Sequence, residues 1–104
     1  MAFQTIDVKK QENELLIKVL EKRIYLGVTD IFSEEINQAL TTDVDSFTID
    51  MSNVSVMNSS GIGVLIKARD EITKREKTLK LSNLQPLMQD IFDRMRLDTL
   101  FDIS

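Results

Sequence analysis

The chain contains no cysteine and no histidine among its 104 residues. The absence of cysteine excludes disulfides, thiolate nucleophiles and cysteine-based zinc sites. The absence of histidine removes the commonest general base and the commonest metal ligand. With only 3 glycines and 1 proline, the chain does not have the composition of a low-complexity or linker-rich segment. We therefore expect a globular protein with no metal site, no cofactor and no enzymatic activity.

The chain also lacks an excess of positive charge and a long hydrophobic run. Its formal net charge is -4, which gives no electrostatic reason to bind nucleic acid or an anionic membrane. Residues 1–10 lack the apolar core of a signal peptide, and no run approaches the length needed to span a membrane. These features predict a cytoplasmic protein that makes no direct contact with nucleic acid or membrane.

The apolar pattern predicts strands that alternate with helices. We expect strands at residues 4–10, 14–20, 47–51 and 78–81, a further short strand or strand extension at 23–27, and helices that begin near Thr29 or Asp30, near Ser60 and near Leu84. Such alternation implies an α/β fold whose sheet has several parallel neighbours and right-handed crossovers. Because no repeat or linker interrupts the pattern, residues 1–104 are predicted to form a single domain.

Three features have an ordinary structural interpretation. The apolar stripe from Leu84 to Met95 is predicted to be core rather than a groove for a partner. The charged run at residues 73–77 is predicted to be a solvated helix end. Gly63 is predicted to let its helix pack closely, because the Gly61-Ile62-Gly63 segment lacks the third glycine of a dinucleotide fingerprint and the lysine of a P-loop.

The turn Asn58-Ser59-Ser60-Gly61 places two hydroxyls at the predicted start of the second helix. Backbone N–H groups are unpaired there, and a negative charge is stabilised by the helix dipole. Either serine could serve simply as the N-cap, which stabilises a helix by roughly 1 kcal/mol. Only one cap is needed, so the second hydroxyl is a candidate for phosphorylation, which the helix start would tolerate.

The stretch from Asp50 to Ile72, DMSNVSVMNSSGIGVLIKARDEI, resembles the signature of STAS domains, in particular of bacterial anti-sigma factor antagonists. The ending Leu97-Asp98-Thr99-Leu100-Phe101 is also similar to the end of that family's domain, so the resemblance covers nearly the whole chain. It implies a single STAS-type domain, with a mixed β-sheet and helices packed mainly on one face. Asn58 stands where the family typically has aspartate.

The resemblance also implies a partner switch. The unphosphorylated protein is expected to bind a serine kinase that doubles as an anti-sigma factor, and a serine phosphatase is expected to reverse the phosphorylation that breaks this complex. Carried onto this chain, the phosphorylated residue is Ser60. The docking face is expected to include Tyr25 to Thr29 and the turn up to Ile62, and its candidate residues are Tyr25, Thr29, Asn58, Ser59, Gly61 and Ile62.

Two other functions remain open from the sequence. In one, the chain is a constitutive STAS scaffold or a transporter-associated subunit, and Ser60 is only a helix cap. In the other, it is a small enzyme or nucleotide-binding protein, against which the lack of histidine, cysteine and a P-loop argues.

Overall fold

Strands and helices alternate along the chain in the computed structural model, which describes residues 3–104. The strands are β1 (Ile6–Gln11), β2 (Glu14–Val19), β3 (Arg23–Ile24), β4 (Ser46–Asp50), β5 (Val56–Met57), β6 (Thr78–Ser82) and β7 (Asp102–Ile103). The helices are α1 (Thr29–Ala39), α2 (Ser59–Lys74) and α3 (Pro86–Arg94), and a 3₁₀ turn follows at Leu97–Thr99. The predicted α/β alternation is confirmed, and the short strands β5 and β7 are additions to it.

The main sheet is mixed and has the strand order β1-β2-β4-β6-β7. β1 and β2 pair antiparallel, whereas β2, β4, β6 and β7 are parallel to one another. Parallel neighbours require long crossover connections, and these contain the three helices. β3 and β5 form a separate parallel pair. Since β3 directly precedes α1 and β5 directly precedes α2, this pair brings the starts of the two helices together.

The core lies on one face of the main sheet, because side chains along a strand alternate between its faces. The strands contribute Leu15, Ile17, Val19, Phe47, Ile49, Leu79 and Leu81 to it. The helices cover these side chains with Phe32, Ile36, Ala39, Ile62, Leu65, Ala68 and Ile72. On the other face, Lys18 and Lys80 are exposed and Thr48 is half-buried. The prediction of a mixed sheet with helices mainly on one face is confirmed.

The third helix departs from its predicted pattern. Of the apolar stripe that the sequence assigned to the core, Met88 and Phe92 are fully buried, but Leu87 is 55% exposed and Met95 is 51% exposed. The Phe92 ring packs against Phe101 with ring centroids 5.8 Å apart. Only one side of the apolar stripe of this short helix is therefore buried. Within residues 3–104, no helix has the length and apolar character needed to cross a membrane.

The charged run after α2 is also not simply solvated. Arg75 donates from Nη1 to the carbonyl oxygen of Leu40 at 2.7 Å, and Lys77 donates from Nζ to the carbonyl oxygen of Val44 at 2.6 Å. The last carbonyls of a helix have no partner within the helix, and a cation there also interacts favourably with the helix dipole. Arg75 therefore satisfies the carbonyl of the C-cap residue of α1, and Lys77 satisfies a carbonyl in the loop that follows, roles that sequence spacing does not reveal.

The N-terminal segment is tied to α1 through one carboxylate. Glu35 accepts hydrogen bonds from the backbone N–H groups of Gln4 and Thr5, both at 2.7 Å, and from the hydroxyl of Thr5. Thr5 is buried. Partial burial would raise the pKa of Glu35, but the hydrogen bonds from Thr5 and Gln4 outweigh burial and hold this pKa below its usual value. The ionised form of Glu35 is thus the form that stabilises the fold.

Replacing Glu35 by glutamine is expected to lower the free energy of unfolding at pH 7 by about 1–2 kcal/mol, because an amide cannot accept all three hydrogen bonds. A depressed pKa in the folded state contributes stability above the pKa of the unfolded state, and this contribution is lost as the pH falls through the folded pKa. The difference between wild type and Glu35→Gln should therefore shrink as the pH is lowered below about 4.5. This difference in the free energy of unfolding is measured by urea unfolding, monitored by circular dichroism at several pH values from neutral to acidic.

Glu34→Gln is the matched control, since Glu34 precedes Glu35 on α1 and is exposed. It should leave stability unchanged to within about 0.5 kcal/mol. Equal stability of the two variants at pH 7 would show that the Glu35 contacts contribute nothing.

Candidate functional site

The serine turn, residues 58–61, lies where β5 ends and α2 begins. The pairing of β3 with β5 matches Ile24 with Met57, and the Asn58 N–H continues it by donating to the Ile24 carbonyl oxygen at 3.0 Å. The turn is consequently fixed beside the residues that follow β3, which include Tyr25. The sequence prediction placed the serine turn and Tyr25 to Thr29 on one face, and the fold brings them side by side.

The cap of α2 is Asn58, and neither serine has this role. The Oδ1 atom of Asn58 accepts from the Gly61 N–H at 2.9 Å, and the backbone of Asn58 is extended, with φ -79° and ψ 177°. Asparagine caps helices as well as serine does, so the sequence alone could not choose between them. The helix begins at Ser59, one residue before the predicted start. The interpretation that one of the two serines caps the helix is therefore wrong.

Ser59 and Ser60 are both exposed, in the first turn of α2. The first N–H groups of a helix have no partner within it, and one of them, that of Gly61, is already taken by Asn58. The first turn contains no acidic residue. A negatively charged group on either serine would therefore meet free N–H groups and the positive end of the helix dipole, without repulsion from a carboxylate in that turn.

Gly61 and Ile62 point into the protein. Ile62 is only 4% exposed, and Gly61 is buried. A Cβ atom on Gly61 would lie 3.0 Å from Cγ2 of Ile24 and 3.1 Å from Cβ of Met57, so the close-packing glycine is Gly61. A Cβ atom on Gly63 would meet nothing within 4 Å, which contradicts the packing role predicted for Gly63. Gly61 and the side chain of Ile62 shape the turn from inside and do not belong to the surface that a partner can touch.

The segment after β3 presents Tyr25, which is 44% exposed. The Tyr25 carbonyl oxygen accepts three hydrogen bonds: from the Val28 N–H at 3.0 Å, the Thr29 N–H at 2.9 Å and the Thr29 hydroxyl at 2.8 Å. Thr29 is half-buried, and its hydroxyl holds this turn rather than capping α1. The N-cap of α1 is Val28, which makes no side-chain hydrogen bond, and the helix begins at Thr29, one of the two predicted starts.

The two glycines of α2 give a prediction about packing. Gly61→Ala and Gly63→Ala gain comparable helix propensity, so their comparison isolates the contacts of the new methyl group. We expect Gly61→Ala to be less stable than Gly63→Ala by about 1–3 kcal/mol, because Ile24 and Met57 must move. Thermal and urea unfolding of the two variants measure this difference, and equal stabilities would contradict the close packing of Gly61.

The cap gives a second prediction. Asn58→Ala is expected to lower the free energy of unfolding by about 1 kcal/mol, since the Gly61 N–H loses its partner. Ser59→Ala and Ser60→Ala are the matched controls and should each change it by less than about 0.5 kcal/mol. A loss for Ser60→Ala as large as that for Asn58→Ala would restore the cap role to the serine.

Within residues 3–104, no group of three or more histidine, cysteine, aspartate or glutamate side chains is arranged to hold a metal ion. The site described above is an uncharged helix start with two exposed hydroxyls and an adjacent exposed tyrosine. Its geometry suits recognition by another protein, since it presents side chains from two adjoining segments on one surface.

Comparison with known proteins places this arrangement in a family. The STAS domain model matches residues 5–104. The anti-sigma-B factor antagonist of Bacillus subtilis (strain 168) is 28% identical over 103 residues, which span 95% of this chain and 89% of that protein.

Two solved structures share the fold. The Bacillus cell fate determinant SpoIIAA in its phosphorylated form matches with a TM-score of 0.71 and 17% identity, over 95% of this chain and 90% of that one. The murine anion transporter Slc26a9 matches with a TM-score of 0.77 and 14% identity, over 91% of this chain but only 16% of that one. At these identities the structures establish a common fold and no more. Because the family model spans nearly the whole chain, the protein belongs to the STAS domain family.

Proposed function

We propose that this chain is an anti-sigma factor antagonist that acts as a partner switch. In its unmodified form it binds a serine kinase that is also an anti-sigma factor, and this binding releases the sigma factor. Phosphorylation of Ser60 breaks the complex, and a serine phosphatase restores it. The proposal is supported by the name and near full-length match of the Bacillus subtilis relative.

The observation that carries the proposal is the division of roles at the start of α2. Asn58 caps the helix, so the exposed hydroxyls of Ser59 and Ser60 are not needed to hold the fold. A hydroxyl that stabilises nothing can be modified without unfolding the protein. This is the property that a reversible switch requires.

Phosphorylation adds a charge of about -1.5 to -2 at pH 7. Within the protein, the free N–H groups and the dipole of α2 stabilise that charge. A bound partner would meet the same charge across a desolvated interface, where an unpaired charge is costly. The modification therefore acts on the complex and leaves the core intact. The protein itself needs no catalytic group or cofactor for this role, because the kinase supplies the chemistry.

The proposed contact surface consists of Tyr25, Thr29, Asn58, Ser59 and the acceptor Ser60. Tyr25 offers a large exposed ring, and aromatic side chains are enriched at protein interfaces. Thr29 and Asn58 contribute by holding the two turns in place through their own hydrogen bonds.

The direct test is the intact mass of the protein after incubation with ATP and the serine kinase of the same organism, followed by fragment mapping. We expect one phosphate on wild type and on Ser59→Ala, and none on Ser60→Ala. We also expect Ser60→Ala to bind the kinase persistently and Ser60→Asp to bind at least about tenfold more weakly than wild type, since a carboxylate imitates part of the added charge.

Comparing Ser59→Ala with Ser60→Ala shows which serine is phosphorylated. Phosphate that persists in Ser60→Ala and disappears in Ser59→Ala would move the acceptor by one residue and keep the switch. A stable complex with no phosphate on any variant would contradict the switch.

The fold that this chain shares with a segment of an anion transporter favours a second function. In that case the chain is a constitutive subunit or scaffold, and its partner affinity does not depend on either serine. Genes for a transporter beside this one, together with equal partner binding by wild type and Ser60→Asp, would support it. Genes for a kinase and a phosphatase would support the switch.

A further inference from the structure

Among residues 3–104, Leu26 is the most exposed of the large apolar side chains, at 89%. The two large apolar residues nearest to it in exposure, Leu87 and Met95, are only about half exposed. Leu26 packs against no part of the core, so the fold provides no reason for a leucine there. Isolated exposed leucines are common on protein surfaces, so the case for a role depends on how the side chain is held and what surrounds it.

Leu26 is held at the corner of a rigid turn. The Val28 N–H donates to the Tyr25 carbonyl oxygen at 3.0 Å, which closes a four-residue turn from Tyr25 to Val28. Gly27 occupies the third position of this turn with φ +87°, the conformation that favours glycine in a type II turn. The Thr29 N–H and hydroxyl add two more hydrogen bonds to the same carbonyl oxygen. A turn that is already formed loses little backbone freedom when its side chain binds a partner.

The two chain segments that meet beside Leu26 carry no charge. Residues 24–29 contain no Asp, Glu, Lys or Arg, and neither do residues 51–66, although 29% of the chain is charged. The hydrogen bond from the Asn58 N–H to the Ile24 carbonyl oxygen joins these two stretches. Of the residues that flank them, Arg23, Asp30 and Lys67 are charged and exposed, and Asp50 is charged and half-buried. An uncharged centre with a charged rim is the usual composition of a protein interface.

Leu26 and Ser60 lie close enough to be covered by one partner. Each is two residues from the 3.0 Å hydrogen bond that joins Asn58 to Ile24. At about 3.5 Å per residue, their backbones are at most about 17 Å apart. A standard interface covers about 800 Å² of each partner, which corresponds to a patch roughly 30 Å across. A partner seated over the serine turn and Tyr25 therefore also reaches Leu26.

We propose that Leu26 anchors the serine kinase by inserting into an apolar pocket beside the site where that kinase holds the acceptor serine. This inference rests on the function proposed above and names a specificity residue for it. A serine in the first turn of a helix cannot enter a kinase cleft as an extended segment, so the kinase must recognise the folded surface around it. Leu26 is the side chain of that surface best placed to fill a pocket.

The test uses Leu26→Ala and Leu26→Asp, with Leu87→Ala as the matched control, because Leu87 is a leucine that is 55% exposed on α3. Affinity for the purified kinase is measured by calorimetry with a non-hydrolysable ATP analogue bound, so that no serine is modified. We expect Leu26→Ala to bind about tenfold more weakly than wild type, Leu26→Asp to bind more weakly still, and Leu87→Ala to bind within about twofold of wild type.

Kinetics add a second readout. With ATP, Leu26→Ala should raise KM about tenfold and leave kcat unchanged, because the anchor lies away from the transferred phosphoryl group. Unchanged melting temperatures would confirm that the variants fold. Affinity and KM of Leu26→Ala within about twofold of wild type would overturn the anchor role.

The outcomes also separate this inference from the proposed function. A kinase that binds wild type without phosphorylating it contradicts the switch, and the Leu26 comparison still decides the anchor. A kinase that phosphorylates wild type and Leu26→Ala equally well supports the switch and overturns the anchor. A kinase that neither binds nor modifies wild type overturns both.

Discussion

The close contact of the first turn of α2 with β3 and β5 is the constraint on which the arrangement of the site depends. Gly61 permits it, since a side chain there would collide with Ile24 and Met57. The bond from the Gly61 N–H to Asn58 then fixes where the helix begins. Because Gly61 and Ile62 face inward, the two residues before them face outward. The exposure of Ser59 and Ser60 is thus a consequence of how tightly the next residues pack.

The absence of charged residues from the serine turn makes the site sensitive to phosphorylation. Asn58 provides the cap without a carboxylate, and no charged residue lies between residues 51 and 66. One phosphoryl group adds a charge of about -1.5 to -2 to a turn that carries no charge of its own. The helix start stabilises that charge in the free protein, whereas an apolar partner surface does not. Phosphorylation therefore changes the stability of the fold little and weakens the complex strongly.

Much of the fold could be predicted from the sequence, because strand alternation and helical periodicity report directly on burial. Phe47 and Ile49 mark a buried strand, as the structure has them. The third helix is predicted near Leu84, and α3 begins at Pro86. The resemblance of the stretch from Asp50 to Ile72 to the STAS signature identified the family.

Most of the errors concern features set by contacts between distant parts of the chain, whereas the cap of α2 is a local choice between neighbouring side chains. Asparagine and serine cap equally well, so only the backbone geometry reveals Asn58 as the cap. The packing glycine is Gly61 rather than Gly63 because of which side of α2 faces β3. Arg75 serves α1 from the far end of α2, 35 residues away in sequence. Met95 is exposed because no element covers that side of α3.

The central claim is that one modification changes partner affinity and leaves the fold intact. The most direct measurement compares enzymatically phosphorylated protein with unmodified protein, taken from one preparation, for both partner affinity and free energy of unfolding. The account predicts that affinity for the kinase falls at least about a hundredfold while the free energy of unfolding changes by no more than about 1 kcal/mol. Equal affinity of the two forms, or a loss of affinity that is matched by unfolding of the phosphorylated protein, would contradict it.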